Sequence, residues 1–162
     1  MQPERAQSDE LIRHLGLAPH PEGGWYRELY RSSRQVVTAQ RTRSALTSIY
    51  YLLQQHQISH WHCVSADEIW HFYAGAPLEL FAYDADRAEL VRHLLSAPGS
   101  GGEPVGVIPA GVWQAARCLG DYALMGCSVG PGFEFADFRL VASLPGHAPH
   151  FTRTLSPLRQ LL

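Results

Sequence analysis

The chain has 162 residues and a formal net charge of −2, with 13 Lys and Arg against 15 Asp and Glu. A chain of this length buries roughly two thirds of its unfolded surface, so a single domain that needs no disulfide is the simplest arrangement. Apart from Arg27, Arg31 and Arg34 and the pair Arg41 and Arg43, the basic residues are scattered. That excludes a nucleic-acid footprint and leaves a small molecule or another protein as partner.

Ser8, Asp9 and Glu10 precede Leu11, Ile12 and Leu15, with Gly16 just beyond. An N-cap, an acidic first turn, one apolar stripe and a glycine stop predict a short helix over about 8–16. Pro19, Pro21, Gly23 and Gly24 then break the chain. Beyond them β-branched and aromatic residues alternate with polar ones, which predicts strands at 24–32, 44–54, 60–64, 67–73, 78–84, 90–96, 104–109, 112–118 and 121–129. Short strands so evenly spaced suggest a sandwich or a barrel. Ser96 to Gly102 reads as a connecting loop within the strand series. The aromatic and acidic stretch Phe133 to Phe138 and the tail at about 141–162 read mainly as packing.

Cys63, Cys118 and Cys127 lie in apolar runs, and an odd set of this kind suits buried free thiols in a reducing compartment. The first residues lack an apolar signal region, and no stretch approaches the about twenty apolar residues of a membrane span. A soluble, cytoplasmic protein is the expectation, with no membrane or nucleic-acid partner.

The chemistry concentrates in two stretches. The first holds His60, His62, Glu68 and Gly75; the second holds Pro109, Gly111 and Gln114. Strand side chains alternate faces at about 3.3 Å per residue, so a regular strand would aim His60 and His62 to one side, roughly 7 Å apart at the backbone. A carboxylate from the next strand and an amide oxygen from a later one would complete a mixed N/O pocket. Each residue also has a plainer reading. The histidines suit two polar residues facing solvent or hydrogen-bonded inside a barrel, and Gln114 suits a buried amide serving backbone groups. Val112, Gln114, Ala116 and Cys118 share one face, and so do Glu68, Trp70 and Phe72, opposite Ile69, His71 and Tyr73. His71 is expected to pack outward. His14, His20, His56, His93, His147 and His150 have no ligand spacing and are expected to be surface or packing residues.

The spacing His60-x-His62, Glu68, Gly75, then Pro109-x-Gly111 with Gln114 at the last ligand position, resembles the cupin superfamily. Finer likeness lies in His20-Pro21-Glu22-Gly23-Gly24, Thr47-Ser48-Ile49-Tyr50, Asp67 to Gly75, Val107 to Gln114 and Gly126 to Phe133. These segments look like a branch of uncharacterised bacterial and fungal cupins, a domain of unknown function related in fold to sugar-nucleotide epimerases and seed storage proteins. The resemblance covers about residues 10–140. It implies a mainly all-β jelly-roll barrel, or double-stranded β-helix, with a short N-terminal helix, a single domain over 1–162 with its core at about 22–140, and a homodimer. It also implies metal positions at His60, His62, Glu68 and Gln114. Members of the branch often keep only the second histidine, so His60 makes this chain more metal-capable, while Gln114, a weaker ligand than imidazole, loosens the site and biases it toward Zn, Ni, Mn or Fe(II).

Three functions compete. In the first, a metal-dependent isomerase, lyase or oxygenase acts on a small polar, carboxylated or sugar-like molecule, the ion stabilising an enolate or alkoxide. The second is metal-free proton transfer of the sugar-nucleotide epimerase kind, with His62 as base, Glu68 orienting it and one of Tyr50, Tyr51 or Tyr73 as acid. The third is a non-catalytic ligand binder with aromatic walls from Trp70, Phe72 and Trp113. Glu22, Arg27 and Glu28 read as charges that keep an edge strand from further pairing, Arg27 or Arg31 also suits an anion at the barrel mouth, and Tyr51 is a further candidate for ligand binding. No nucleotide-cofactor fingerprint is present.

Overall fold

The computed structural model describes residues 3–39, 41–143, 158 and 161. His147, His150 and most of the tail at 141–162 lie outside the described residues. Among the described residues helix α1 (Pro3–Leu15) is followed by thirteen strands: β1 (Ala18–Pro19), β2 (Trp25–Arg31), β3 (Gln35–Val37), β4 (Thr42–Ser44), β5 (Thr47–Gln54), β6 (Ile58–Val64), β7 (Asp67–Gly75), β8 (Leu78–Asp84), β9 (Glu89–Leu95), β10 (Val105–Ile108), β11 (Trp113–Cys118), β12 (Tyr122–Gly130) and β13 (Phe138–Leu140). Every strand expected from alternation has a counterpart, with ends within three residues. The short β1, β3, β4 and β13 carry too few residues to show a period, and alternation did not reveal them.

The helix starts earlier than its cap signal suggested. Ser8 is not an N-cap but a buried residue in mid-helix, whose Oγ accepts a hydrogen bond from Gln54 Nε2 at 2.8 Å. Leu11, Ile12 and Leu15 lay the helix against Leu52 and Leu124 on the outer face of the six-stranded sheet, covering its β5 and β12 part.

Two sheets face each other. The six-stranded sheet runs β1-β2-β5-β12-β7-β10 and the five-stranded one β13-β6-β11-β8-β9, while β3 and β4 form a separate hairpin. Tyr51, Leu53, Trp70, Met125 and Cys127 from the first sheet meet Leu78, Leu80, Ala82 and Ala116 from the second in one buried core. The alternate residues of the five-stranded sheet, Trp61, Cys63, Phe81, Tyr83, Trp113 and Ala115, form a second core on its far side with Val141, Leu158 and Leu161. Strands β8 and β11 are therefore buried on both faces, which is why they read as nearly continuous apolar runs. A third cluster of Val64, Ala66 and Val129 with Phe133 and Phe138 plugs one end of the sandwich, next to the cavity.

One irregularity decides the site. Strand β6 pairs with β11 through Ser59 opposite Ala116 and His62 opposite Gln114, so His60 and Trp61 together face the single residue Ala115. This β-bulge inserts one residue and inverts the side-chain parity along β6. Ser59 and His62 consequently face the interior, although a regular strand would send them to opposite sides.

Candidate functional site

A cavity of about 290 Å³ opens between the sheets at one end. His62 and Val64 from β6, Glu68 from β7, Tyr51, Ile49 and Thr47 from β5, Cys127 and Val129 from β12, and Tyr26 from β2 line it. The turn between β1 and β2 contributes His20 and Glu22, and the segment after β12 contributes Phe133, Glu134 and Phe135.

Glu22 reaches this position because its turn lies hard against β6. The chain reverses through Gly23 at φ 106° and Gly24 at φ 72°, and a Cβ on Gly23 would sit 2.1 Å from the carbonyl oxygen of Ile58. Only glycine tolerates both the left-handed backbone and that contact. His60 N–H donates to Glu22 O at 2.8 Å and tethers the turn to β6.

The proton positions at the centre follow from the hydrogen bonds. His62 Nδ1 lies 2.8 Å from the carbonyl oxygen of His60, which only accepts, so Nδ1 carries a hydrogen and Nε2 presents a lone pair when the ring is neutral. Glu22 Oε2 is 3.2 Å from that Nε2 and 3.5 Å from His20 Nδ1, which itself accepts from the Glu22 N–H. Both nitrogens facing Oε2 are acceptors, so the carboxyl of Glu22 supplies the hydrogen and stands as the acid. Ser59 Oγ donates to the other oxygen, Oε1, at 2.9 Å. Burial acts the same way: it raises the pKa of Glu22 and lowers those of His62 and His20, favouring the neutral form of each.

Glu68 is the second carboxyl. Gln114 Nε2 donates to its Oε2 at 2.7 Å, while Trp70 Nε1 donates to Gln114 Oε1 at 3.0 Å. Burial is the largest influence on Glu68 and pushes it up to about 7. Tyr51 donates its hydroxyl hydrogen to Gly23 O at 2.8 Å, and burial holds its pKa well above the ordinary value, so it stays neutral.

His62, Glu68 and Gln114 thus come together around one centre. His60 does not line the cavity: the bulge diverts it, and its Cδ2 lies beside Gly23, 3.7 Å from where a Cβ would be. Gln114 presents its amide nitrogen, not its oxygen, to Glu68, and that oxygen is taken by Trp70. Among the described residues no three His, Cys, Asp or Glu side chains are disposed to hold one ion. The expected set of His60, His62, Glu68 and Gln114 therefore does not fit a divalent metal in this arrangement.

The expected aromatic walls also change. Trp70 and Phe72 belong to the central core, with Trp70 serving the site through Gln114. Trp113 faces the opposite way, into the second core, where Arg139 lies 5.6 Å from its ring, because Gln114 beside it points inward. Arg27 borders the mouth, its guanidinium 5.8 Å from the Tyr50 ring. Tyr51 lines the cavity, whereas Tyr73 is exposed. His71 is half-buried on the face away from the cavity.

Residues read as edge charge, surface or packing prove central. Glu22 is buried, not an edge-strand charge, and His20 packs edge-on to Tyr26 at 4.5 Å. Phe133, Glu134 and Phe135 wall the cavity, held by Arg31, which donates to Glu134 Oε1 at 2.8 Å and to Phe133 O at 3.0 Å. The signal available for Glu22 was a lone carboxylate ahead of two glycines in a breaker cluster, where a surface charge gains nothing from two constrained neighbours.

The fold and sequence have known counterparts. A hypothetical protein from Leishmania major is 30% identical with a TM-score of 0.80, over 93% of this chain and 97% of that one. A protein from Shewanella oneidensis is 33% identical with a TM-score of 0.78, over 96% of each chain. An oxalate decarboxylase of Bacillus subtilis is 16% identical with a TM-score of 0.58, over 85% of this chain and 34% of that one, a likeness of fold alone. No curated protein matches. The family described as cupin superfamily (DUF985) matches residues 9–141. Two facing antiparallel sheets around an end-opening cavity, and a family match spanning nearly all the strands, identify this chain as a member of the DUF985 family of the cupin superfamily.

Proposed function

We propose that the protein binds a small polar molecule in the cavity and moves a proton on it without a metal, in the manner of an epimerase or isomerase. The observation that carries this reading is the contact of Glu22 Oε2 with His62 Nε2 at 3.2 Å, in a cavity shared with a second carboxyl held at about 7.

Near neutral pH Glu68 is divided between acid and carboxylate, the balance that suits a group taking a proton and returning it. As carboxylate it would accept the proton of a C–H bond next to a carbonyl, and the electron pair of that bond would pass to the carbonyl oxygen. The hydrogen shared between Glu22 Oε2 and His62 Nε2 across 3.2 Å would turn from the histidine to the charge that develops there. Return of the proton from Glu68 completes the exchange. The proposed acid is Glu22, with Tyr51, which donates to Gly23 O and lies against Glu22, held neutral beside it.

The test is solvent-deuterium incorporation, followed by NMR, across a panel of sugar nucleotides, keto acids and amino ketones. Exchange in one class is expected to fall by about 100-fold or more in Glu68→Gln and His62→Asn, the scale of a lost acid–base group. No exchange in any compound would overturn the reading. So would about one tightly held metal ion per chain, lost on His62→Ala, in protein purified without a nickel column.

A further inference from the structure

We infer that the molecule this cavity takes is a small organic cation, a primary amine or amidine flanked by an aromatic or apolar group. The inference rests on the ligand-binding half of the proposed function and is independent of the proton transfer.

The walls of the cavity carry four carboxyl groups, Glu22, Glu28, Glu68 and Glu134, against two guanidiniums, Arg27 and Arg31. The guanidiniums are at the mouth. Arg31 is bound on both sides by carboxylates, Glu28 at 2.8 Å and Glu134 at 2.8 Å, so its charge is already spent. Arg27 is exposed. The two remaining carboxyls, Glu22 and Glu68, are buried at the inner end, and no lysine or arginine lines the cavity beside them. Buried carboxyls without a cation are costly as anions, and a bound cation would offset that cost.

The hydrogen-bond inventory points the same way. Each carboxyl has about four acceptor sites. Glu22 Oε1 receives Ser59, and Glu68 Oε2 receives Gln114. Tyr51, which donates to Gly23 O, also lies within hydrogen-bonding reach of Glu22, the Cys127 thiol faces Glu68, and Trp70 is taken by Gln114. Two carboxyls with acceptor sites to spare make N–H groups and positive charge the complement of this interior.

Aromatic faces complete the match. His20, Tyr26, Phe133 and Phe135 cluster at the same cavity, with Phe133 and Phe135 edge-to-face at 5.0 Å and His20 and Phe135 at 5.9 Å. Aromatic faces attract cations and repel anions. At about 290 Å³ the space suits a single-ring ligand, near the small end of known pockets.

The experiment is a charge series of one shape, benzylamine, benzamidine, benzyl alcohol and benzoate, titrated calorimetrically into wild-type protein at constant ionic strength. The amine and amidine are expected to bind at least tenfold more tightly than the alcohol, and benzoate more weakly than either. Glu22→Gln and Glu68→Gln are each expected to erase most of that preference. The wild-type series decides the matter even if a variant fails to fold. Alcohol or benzoate binding as tightly as the amine overturns the cation and leaves the ligand-binding cavity standing. Sodium or potassium chloride displacing the amine at equal concentration overturns the organic cation in favour of an inorganic one. No binding of any probe in the millimolar range removes both this inference and the ligand-binding reading.

Discussion

The carboxamide of Gln114 bridges Trp70 and Glu68, accepting from the indole at 3.0 Å and donating to the carboxyl at 2.7 Å. This bridge orients the amide, because an indole N–H only donates and therefore claims the oxygen. The position that could have given a metal an oxygen ligand gives Glu68 a hydrogen instead.

Replacing Gln114 with Ala leaves Trp70 Nε1 without its acceptor and Glu68 without its strongest donor. Each orphaned buried group costs about 1–3 kcal/mol. Chemical denaturation is expected to show a loss of this order. In carboxyl-selective NMR titration Glu68 moves further upward, because the lost bond had favoured its charged form.

Stability should depend on pH in a direction unusual for an acid. The folded pKa of Glu68, about 7, lies above its ordinary value of 4.5, so between these values the folded protein holds a proton that the unfolded chain has lost. The stabilisation from this group is complete below about pH 4.5 and fades as pH rises toward 7, a change of about 3 kcal/mol in scale. His62, depressed by burial, acts oppositely: its contribution is present above 6.5 and is lost as pH falls. Denaturation of wild type and Glu68→Gln at pH 5 and pH 8 separates the two. The variant should lose the decline with rising pH and keep the histidine's contribution.

Gly23→Ala should be among the most damaging single substitutions. The added Cβ meets the Ile58 oxygen at 2.1 Å in a backbone region that alanine rarely adopts. A loss above about 3 kcal/mol is expected, in the range left by strain at special backbone positions. A partially folded variant should also lose the Glu22 contact, read as an altered NMR titration of His62. Unchanged stability would contradict the close packing of the turn on β6.

Arg31→Ala tests how the cavity wall is held. Arg31 binds both the side chain of Glu134 and the carbonyl of Phe133, while the Phe133 N–H donates to Thr47 Oγ1 at 2.9 Å. Solvent screening keeps such partly exposed bonds near 1 kcal/mol. Hydrogen exchange at Phe133 is expected to accelerate about fivefold, with little change in strands β8 and β11.

The strands were legible because each carries a long enough run for alternation to register, and β8 and β11 were legible as apolar runs because both their faces are buried. The inward set of Glu68, Trp70 and Gln114 also followed from period-two parity. His60 broke that rule for a reason local alternation cannot express: the bulge opposite Ala115 is defined by the register of β6 against β11, a partner some fifty residues away. Glu22 and His20 were hidden differently, in a breaker turn that carries a family likeness but no ligand spacing.

By itself the sequence determined the β-rich architecture, the family resemblance, and two of the residues at the centre of the cavity, His62 and Glu68, since burial patterns and motif spacing are properties of a single chain. Only the tertiary structure decided which acid meets His62, that Gln114 offers its nitrogen, and that Phe133 and Phe135 wall the cavity. Those outcomes depend on strand register and on a turn pressed against a distant strand, and hydrogen-bond complementarity between such segments exists only once the two sheets have closed.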